Sequence, residues 1–320
     1  MNNLAELIKL SRPNLKDRSI QSYVFNITKL YEKINGNKNF KDLDFLKDKG
    51  EVDDAIADLK PSTQKAYIAS IVVALGTDEK YKDLIKIYRD YMLSMIAEYE
   101  KELYKQEKTE TQEKNWTTIA NLQSVVKKYK RELTETGVFK KKELNKKDQA
   151  LLQKWMVGSL YVADEENPPM RNDFSPMMII NNKKYLGLEE KEKQTNNYFV
   201  VINKSKKYFS LGDYKTSGTY GTKIITVGKK LNTVLNIFLK YNPDREYLIY
   251  DSKNNPMSAN VLTKYLNKVF SPTGKTNISS TMIRHIFISE KHTGPTIDEK
   301  QVIADKMGHS TNTAELYKKK

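Results

Sequence analysis

The sequence predicts a mainly α-helical (α+β) fold of two domains, with one small antiparallel β-sheet in the second domain. Three observations carry this prediction. Helical periodicity of the apolar residues dominates the first hundred residues and returns after residue 230. The segment 105–115 is entirely polar, as in a linker. Between residues 177 and 227, the apolar residues form short β-branched or aromatic runs separated by Asn, Lys and Gly clusters.

The first domain is predicted to span residues 1–108 and to be helical throughout. Its apolar patterns predict helices over residues 19–31, 64–75 and 81–104. The first of these patterns places Ile20, Ile27 and Leu30 on one face. Ser62 or Thr63 is the expected N-cap of the second helix, because a hydroxyl there can accept a hydrogen bond from a backbone N–H of the first turn.

The second domain is predicted to span residues 109–320 and to hold the sheet between helices. Helices are expected over residues 116–133, 147–162, 231–240, 258–270, 280–292, 298–307 and 313–320, and strands over 177–180, 198–202, 208–211 and 223–227. Gly308 is expected to end the helix before it, because glycine adopts the left-handed conformation that closes many helices.

Composition excludes several classes of protein. The 320 residues include no cysteine and three histidines, so disulfides, thiolate metal sites and a cysteine nucleophile are ruled out. The phosphate-binding and zinc-binding signatures of nucleotide hydrolases, dinucleotide enzymes and metalloproteases are missing, and no metal or cofactor is expected. No apolar run is long enough to span a membrane, and residues 1–10 do not resemble a secretory signal. We therefore expect an intracellular protein of the cytoplasm or nucleus that does not bind membranes.

The positive charge is concentrated in the second half of the chain. The formal net charge is +15, of which residues 1–80 contribute +1, residues 81–150 contribute +4 and residues 151–320 contribute +10. A lysine-rich solvated surface would produce this excess, and so would a surface that binds a polyanion. Nucleic acid is the first candidate for such a partner.

The most informative motif lies near the C-terminus. It consists of Arg284-His285 within a helical pattern, then Met307-Gly308-His309-Ser310, then Tyr317 eight residues after the histidine. This order resembles the tyrosine recombinase (phage-integrase-like) family. The resemblance implies that an arginine lies early on a helix before the sheet and that a lysine lies in a hairpin of the sheet.

Both upstream elements are present. Arg171 lies in the segment Pro-Pro-Met-Arg-Asn-Asp-Phe, whose form resembles the branch of the family found in large DNA viruses, virophages and eukaryotic mobile elements. Lys215, in Tyr-Lys-Thr before two glycines, matches the hairpin lysine. The alternatives to it are Lys206, Lys207 and Lys223.

The resemblance implies a role for each residue. Tyr317 would be the nucleophile that forms a phosphotyrosyl bond. Arg171 and Arg284 would bind the negative charge of the transition state, since a guanidinium is planar and always protonated. Lys215 would protonate the departing 5′ oxygen, and His309 would bind the phosphate or help to accept the tyrosine proton.

Two departures from the family pattern stand out. Thr281 occupies the place where many relatives have His or Lys, and its hydroxyl cannot act as a cation or as a general acid near neutral pH. The spacing from His309 to Tyr317 is one residue shorter than is commonest in the family. The remaining histidines, His285 and His292, are expected to be structural.

The resemblance therefore implies a site-specific recombinase or integrase that closes as a C-shaped clamp on double-stranded DNA. It would cleave and rejoin strands without metal, as a homodimer or homotetramer. One alternative is a type IB topoisomerase, which shares this chemistry. Another is a non-catalytic DNA-binding relative, for which the only support is Thr281.

Overall fold

A computed structural model describes residues 2–162, 165–291, 297–308 and 310–319. The chain divides into two compact units, Met1–Lys105 and Gln106–Lys320. Both are largely helical, and the second contains one four-stranded sheet. The prediction of a mainly α-helical (α+β) fold is confirmed.

The first unit is a helical domain with its own apolar core. Its helices are α1 (Asn2–Ser11), α2 (Asp17–Asn35), α3 (Lys49–Ile56), α4 (Pro61–Leu75) and α5 (Lys82–Tyr104). α4 packs against both α2 and α5, and Ile68 and Ile71 are fully buried. The predicted N-cap of α4 is wrong, because the helix begins at Pro61 and Lys60 is its N-cap. A proline is well suited to the first helical position, since its φ is already helical and its missing N–H has no partner there.

The second unit surrounds its sheet with helices. The elements are α6 (Glu110–Asn115), α7 (Ile119–Glu135), α8 (Lys146–Val162), β1 (Met178–Asn181), α9 (Asn182–Leu186), α10 (Glu190–Thr195), β2 (Asn197–Val201), β3 (Lys207–Leu211), α11 (Ser217–Tyr220), β4 (Lys223–Thr226), α12 (Lys229–Lys240), α13 (Ala259–Phe270), α14 (Ser280–Lys291), α15 (Ile297–Met307) and α16 (Thr311–Tyr317). α8 is buried along most of its length, and α7, α12 and α13 pack around it.

The polar segment predicted to be a linker contains a helix instead. Thr109 and Gln112 form a reciprocal capping box at the start of α6. At the end of α6, the buried Asn115 accepts hydrogen bonds from the backbone N–H groups of Thr276 (3.2 Å) and Asn277 (2.8 Å). An entirely polar helix is therefore held in place by capping and by one buried amide.

The sheet has the order β1-β2-β3-β4, and it is mixed rather than antiparallel. β2 pairs antiparallel with β3, and β3 with β4, as predicted, but β1 pairs parallel with β2. The difference arises in the connection from β1 to β2, which contains α9 and α10. A connection of this length carries the chain back to the start of the sheet, as a parallel pair requires.

One lysine of the sheet is almost completely buried. Lys207, at the start of β3, is 2% exposed. Its Nζ lies within hydrogen-bond distance of the side-chain oxygens of Asn232 (2.7 Å) and Asn236 (2.6 Å) and of the carbonyl oxygens of Asn203 (3.2 Å) and Lys204 (2.9 Å). This ammonium therefore ties the β2–β3 turn to α12.

Within the described ranges, the helices are all too short or too polar to cross a membrane.

Candidate active site

Arg284 is the most deeply buried charged side chain among the described residues of the second unit. It lies on α14 between the buried Ile283 and Ile286 and has no exposed surface. Its Nη1 donates to the carbonyl of Met307 (3.2 Å), whereas its Nε and Nη2 are buried with no hydrogen-bond acceptor placed for them among the described residues. Burial lowers its pKa to about 10, so it remains charged at neutral pH. Leaving donors of a buried cation unpaired costs stability, which indicates a site prepared for an anion.

Tyr317 lies directly against this guanidinium. Its ring centroid is 4.8 Å from Cζ of Arg284, and the ring is half-buried against the core. Ser310 caps α16 by accepting a hydrogen bond from the N–H of Thr313 (3.2 Å).

His285 holds the end of the tyrosine helix. Its Nδ1 lies 2.7 Å from the carbonyl oxygen of Tyr317, and the two rings are 4.8 Å apart. Because a carbonyl only accepts, Nδ1 must carry the hydrogen. Burial lowers the pKa of His285, so the neutral ring is favoured. Two residues further on, the N–H of Lys319 donates to the hydroxyl of Ser289 (2.7 Å).

The turn after α15 connects the two arginines. Gly308 has a φ of 73°, the left-handed conformation that was predicted to end this helix. Its carbonyl accepts hydrogen bonds from Nη1 of Arg171 (3.4 Å) and from the hydroxyl of Thr216 (3.3 Å). The preceding carbonyl, that of Met307, accepts from Arg284. Two consecutive carbonyls of one turn therefore hold both guanidinium groups.

Arg171 does not lie within an α-helix. It is the N-cap of a short 3-10 helix, Asn172–Phe174, and its own carbonyl accepts a hydrogen bond from the hydroxyl of Tyr161 (3.2 Å). The arginine precedes the sheet, as expected, but the expected place early on a helix is wrong, because Arg171 has an extended backbone and only caps this short turn. Asp173 lies in the same short helix. Burial raises the pKa of its carboxyl above the usual value, and the charges of Arg171 and Arg284 oppose this shift.

Two lysines fit the predicted hairpin best, and only one of them lies beside Arg171. Lys215 lies in the β3–β4 connection, as expected, but its side chain is exposed. Lys223, the first residue of β4, lines a small cleft of about 10 Å³ together with Arg171, Asp173 and Gly308, whereas Lys215 does not line it. Burial lowers the pKa of Lys223, and so do the two arginines, while Asp305 raises it.

Thr281 and two of the alternative lysines are not among the residues that form this cluster. Thr281 is exposed on the first turn of α14. Lys206 is exposed in the β2–β3 turn, and Lys207 is the buried structural lysine described above. His309 lies outside the described residues. In the described part of the chain, no group of three or more His, Cys, Asp or Glu residues is placed to hold a metal ion.

The cluster contains residues to which the sequence reasoning gave no role. His285 was expected to be structural, and Asp173 was noted only as part of the arginine motif. The spacing from Arg171 to Asp173 was the available signal for the carboxyl. Nothing in the sequence distinguished Lys223 from its neighbours, because burial of a strand's first residue depends on packing.

No family model matches the sequence, and no curated protein matches it. Among solved structures, the chain is similar to the crystal structure of XerA recombinase, with 9% identity and a TM-score of 0.39, over 99% of this chain and 92% of that chain. Neither a family nor a reaction follows from a likeness of this degree.

Proposed function

We propose that this protein is a tyrosine recombinase that cleaves and rejoins DNA strands through a covalent 3′-phosphotyrosyl intermediate. The observation that carries the proposal is the contact between Arg284 and Tyr317. A buried guanidinium, two of whose nitrogens have no acceptor among the described residues, lies 4.8 Å from the ring of a tyrosine at the motif's nucleophile position.

The reaction uses this pair in a defined order. The phenol oxygen of Tyr317 attacks a phosphodiester phosphorus, a P–O bond to the tyrosine forms, and the bond to the 5′ oxygen breaks. Arg171 and Arg284 bind the non-bridging oxygens, whose charge increases in the transition state. A phosphate oxygen at Nε and Nη2 of Arg284 would supply the acceptors that these atoms lack.

Two proton transfers complete the step. The tyrosine proton passes to a base, for which His309 remains the proposed residue. The departing 5′ oxygen takes a proton from a lysine, either Lys215, as the motif implies, or Lys223, which lies nearer the arginines. In the reverse step, a 5′ hydroxyl attacks the phosphotyrosine and the tyrosine leaves, so the phosphodiester is restored without an external energy source.

Double-stranded DNA is the proposed partner, and dimers or tetramers on DNA are proposed because joining requires two sites. A type IB topoisomerase would perform the same cleavage. Plasmid relaxation without joining of two sites would indicate that activity instead. DNA binding without any covalent adduct would indicate a non-catalytic relative, in which Thr281 takes the place of a charged residue.

The test is adduct formation on a nicked suicide substrate built from DNA selected by binding to the full chain. We expect the parent protein to form a covalent adduct. Tyr317→Phe, which removes one oxygen and keeps the ring, should bind the DNA but form none. The matched control is Tyr104→Phe, a change at an exposed tyrosine of α5, which should react like the parent. An adduct formed by Tyr317→Phe would refute the proposed nucleophile.

A further inference from the structure

The second unit contains a larger cavity that shares no lining residue with the candidate active site. Its volume is about 720 Å³, within the range of roughly 300–1,000 Å³ that is typical of small-molecule pockets. The start of α8, the α12–α13 connection and α13 form its walls. Nothing in the proposed DNA chemistry uses this cavity.

Arg245 is the central charge of the cavity. Its guanidinium carbon lies 4.7 Å from the ring centroid of Tyr250 and 5.4 Å from that of Phe238. The side chain is half-buried, and burial lowers its pKa. Among the described residues, no carboxylate pairs with it, and only two tyrosines act on its pKa in the opposite direction. A partly desolvated cation without a counter-charge is suited to bind an anion.

The orientation of Arg245 is fixed in advance. Oε1 of the buried Gln153 accepts hydrogen bonds from Nη1 of Arg245 (3.0 Å) and from the N–H of Tyr250 (3.3 Å). The Nε2 of Gln153 donates to the carbonyl of Tyr250 (2.9 Å). Since one buried amide holds both the arginine and the adjoining backbone, a ligand would not have to order them on binding.

The other charges of the cavity also favour an anion. Lys146, Lys264 and Lys268 line it and are exposed. Its one acidic lining residue within the described chain is Asp251. The Oδ1 of Asp251 accepts hydrogen bonds from the backbone N–H groups of its own turn, at 2.8 and 2.9 Å. The cavity is therefore lined by four basic side chains and one carboxylate, and that carboxylate already accepts hydrogen bonds from its own turn.

The remaining polar and aromatic groups narrow the class of ligand. Gln149 donates through Nε2 to the carbonyl of Tyr241 (3.2 Å), which fixes the amide orientation, and its Oε1 is buried without a partner. That oxygen can accept a hydrogen bond from an N–H of a ligand. Tyr250 and Tyr265 provide aromatic surface, and burial raises the pKa of Tyr265 to about 12, so its hydroxyl stays protonated.

We propose that this cavity binds a nucleotide, with the phosphate at Arg245 and the lysines, and an amino-bearing base against the tyrosines and Gln149. The nucleotide is either a free nucleoside phosphate or one unit of a nucleic acid. Both sources present the same phosphate, aromatic base and exocyclic amine.

The test titrates the full chain with ATP by calorimetry and, separately, with a twelve-nucleotide single-stranded DNA. Arg245→Gln removes the central charge. A double variant, Lys264→Gln with Lys268→Gln, removes two exposed charges and cannot disturb the core. Arg131→Gln is the matched control, because Arg131 is exposed on α7 and lines no part of this cavity.

A free nucleotide is supported if ATP binds and both pocket variants weaken the affinity for ATP about tenfold or more, while the Arg131 variant leaves that affinity unchanged. If ATP fails to bind, and both pocket variants but not the Arg131 variant weaken binding of the oligonucleotide, the occupant is a nucleotide of nucleic acid. Binding of ATP and oligonucleotide that neither pocket variant changes would overturn the proposal. Inorganic triphosphate that binds as tightly as ATP would overturn the assignment of a base site. The adduct assay on Tyr317 is independent of all these outcomes.

Discussion

Lys207 and Arg284 are both basic, both almost fully buried and both in the second unit, yet their surroundings differ. The ammonium of Lys207 has four oxygen acceptors within 3.2 Å. Among the described residues, the guanidinium of Arg284 has one hydrogen-bond acceptor, at 3.2 Å, and two nitrogens for which none is placed. Burial of a charge is therefore not by itself a sign of function. The unpaired donors of Arg284 are the feature that separates a binding group from a structural one.

The largest effect is expected at Arg284. Arg284→Met removes a charge that is only partly paired, so the free energy of unfolding should stay within about 1 kcal/mol of the parent value or rise. Adduct formation should fall by about 10³-fold, because a transition-state donor is lost. Chemical denaturation and the suicide-substrate assay measure the two quantities. A large loss of stability would mean that Arg284 is structural.

Lys207→Met is the complementary change and should have the opposite pattern. It leaves the side-chain oxygens of Asn232 and Asn236 without their ammonium donor. We expect the free energy of unfolding to fall by about 2–4 kcal/mol. Adduct formation per folded molecule should match the parent. If Lys207→Met instead reduced the cleavage of fully folded protein, the contrast between the two cations would be wrong.

The two candidate proton donors form the next comparison. If Lys223 protonates the 5′ oxygen, Lys223→Ala should slow cleavage by about 10²-fold or more, and Lys215→Ala much less. A donor must be protonated, and burial and the arginines lower the pKa of Lys223. Cleavage should therefore be full below that pKa and decline as pH rises through it. Lys223→Arg should move the decline to higher pH. The reverse ranking of the two alanine variants would assign the role to Lys215.

The smallest effect is expected in the turn that joins the arginines. Gly308→Ala forces a side chain into a left-handed conformation, at a cost of about 1 kcal/mol. The added Cβ would meet no atom closer than 3.8 Å, so the cost comes from the backbone and not from a clash. Gly218→Ala is the control, because its Cβ would meet nothing within 4 Å and its φ is not positive. Thermal unfolding of both variants checks this prediction.

Local patterns in the sequence were sufficient to predict most of the helices. Gly308 closes α15 in the left-handed conformation, as its residue type predicts, and α13 begins within one residue of its predicted start. α6 was missed because a capping box and one buried amide replace an apolar face. The parallel pairing of β1 with β2 was missed because strand direction depends on the path of the connection and not on the composition of the strands.

The candidate site was predictable where residue types are rare and not where they are common. The chain has 3 histidines, and its 55 lysine and arginine residues comprise 48 lysines and 7 arginines. Arg171 and Arg284 are therefore conspicuous in sequence, and the structure holds both at one turn. Lys215 and Lys223 are not conspicuous among so many lysines. They differ only in the folded structure, where Lys223 is the one that lies beside Arg171. Their roles, like that of Tyr317, stay predictions.

The most direct test of the central claim is to locate the covalent bond. The adduct from a suicide substrate is digested with trypsin and nuclease, and the modified peptide is sequenced by tandem mass spectrometry. The account predicts a nucleotide joined through its 3′ phosphate to Tyr317, in the peptide that begins at Met307. A nucleotide on any of the other tyrosines, or DNA that is cleaved without a protein-linked phosphate, would contradict it.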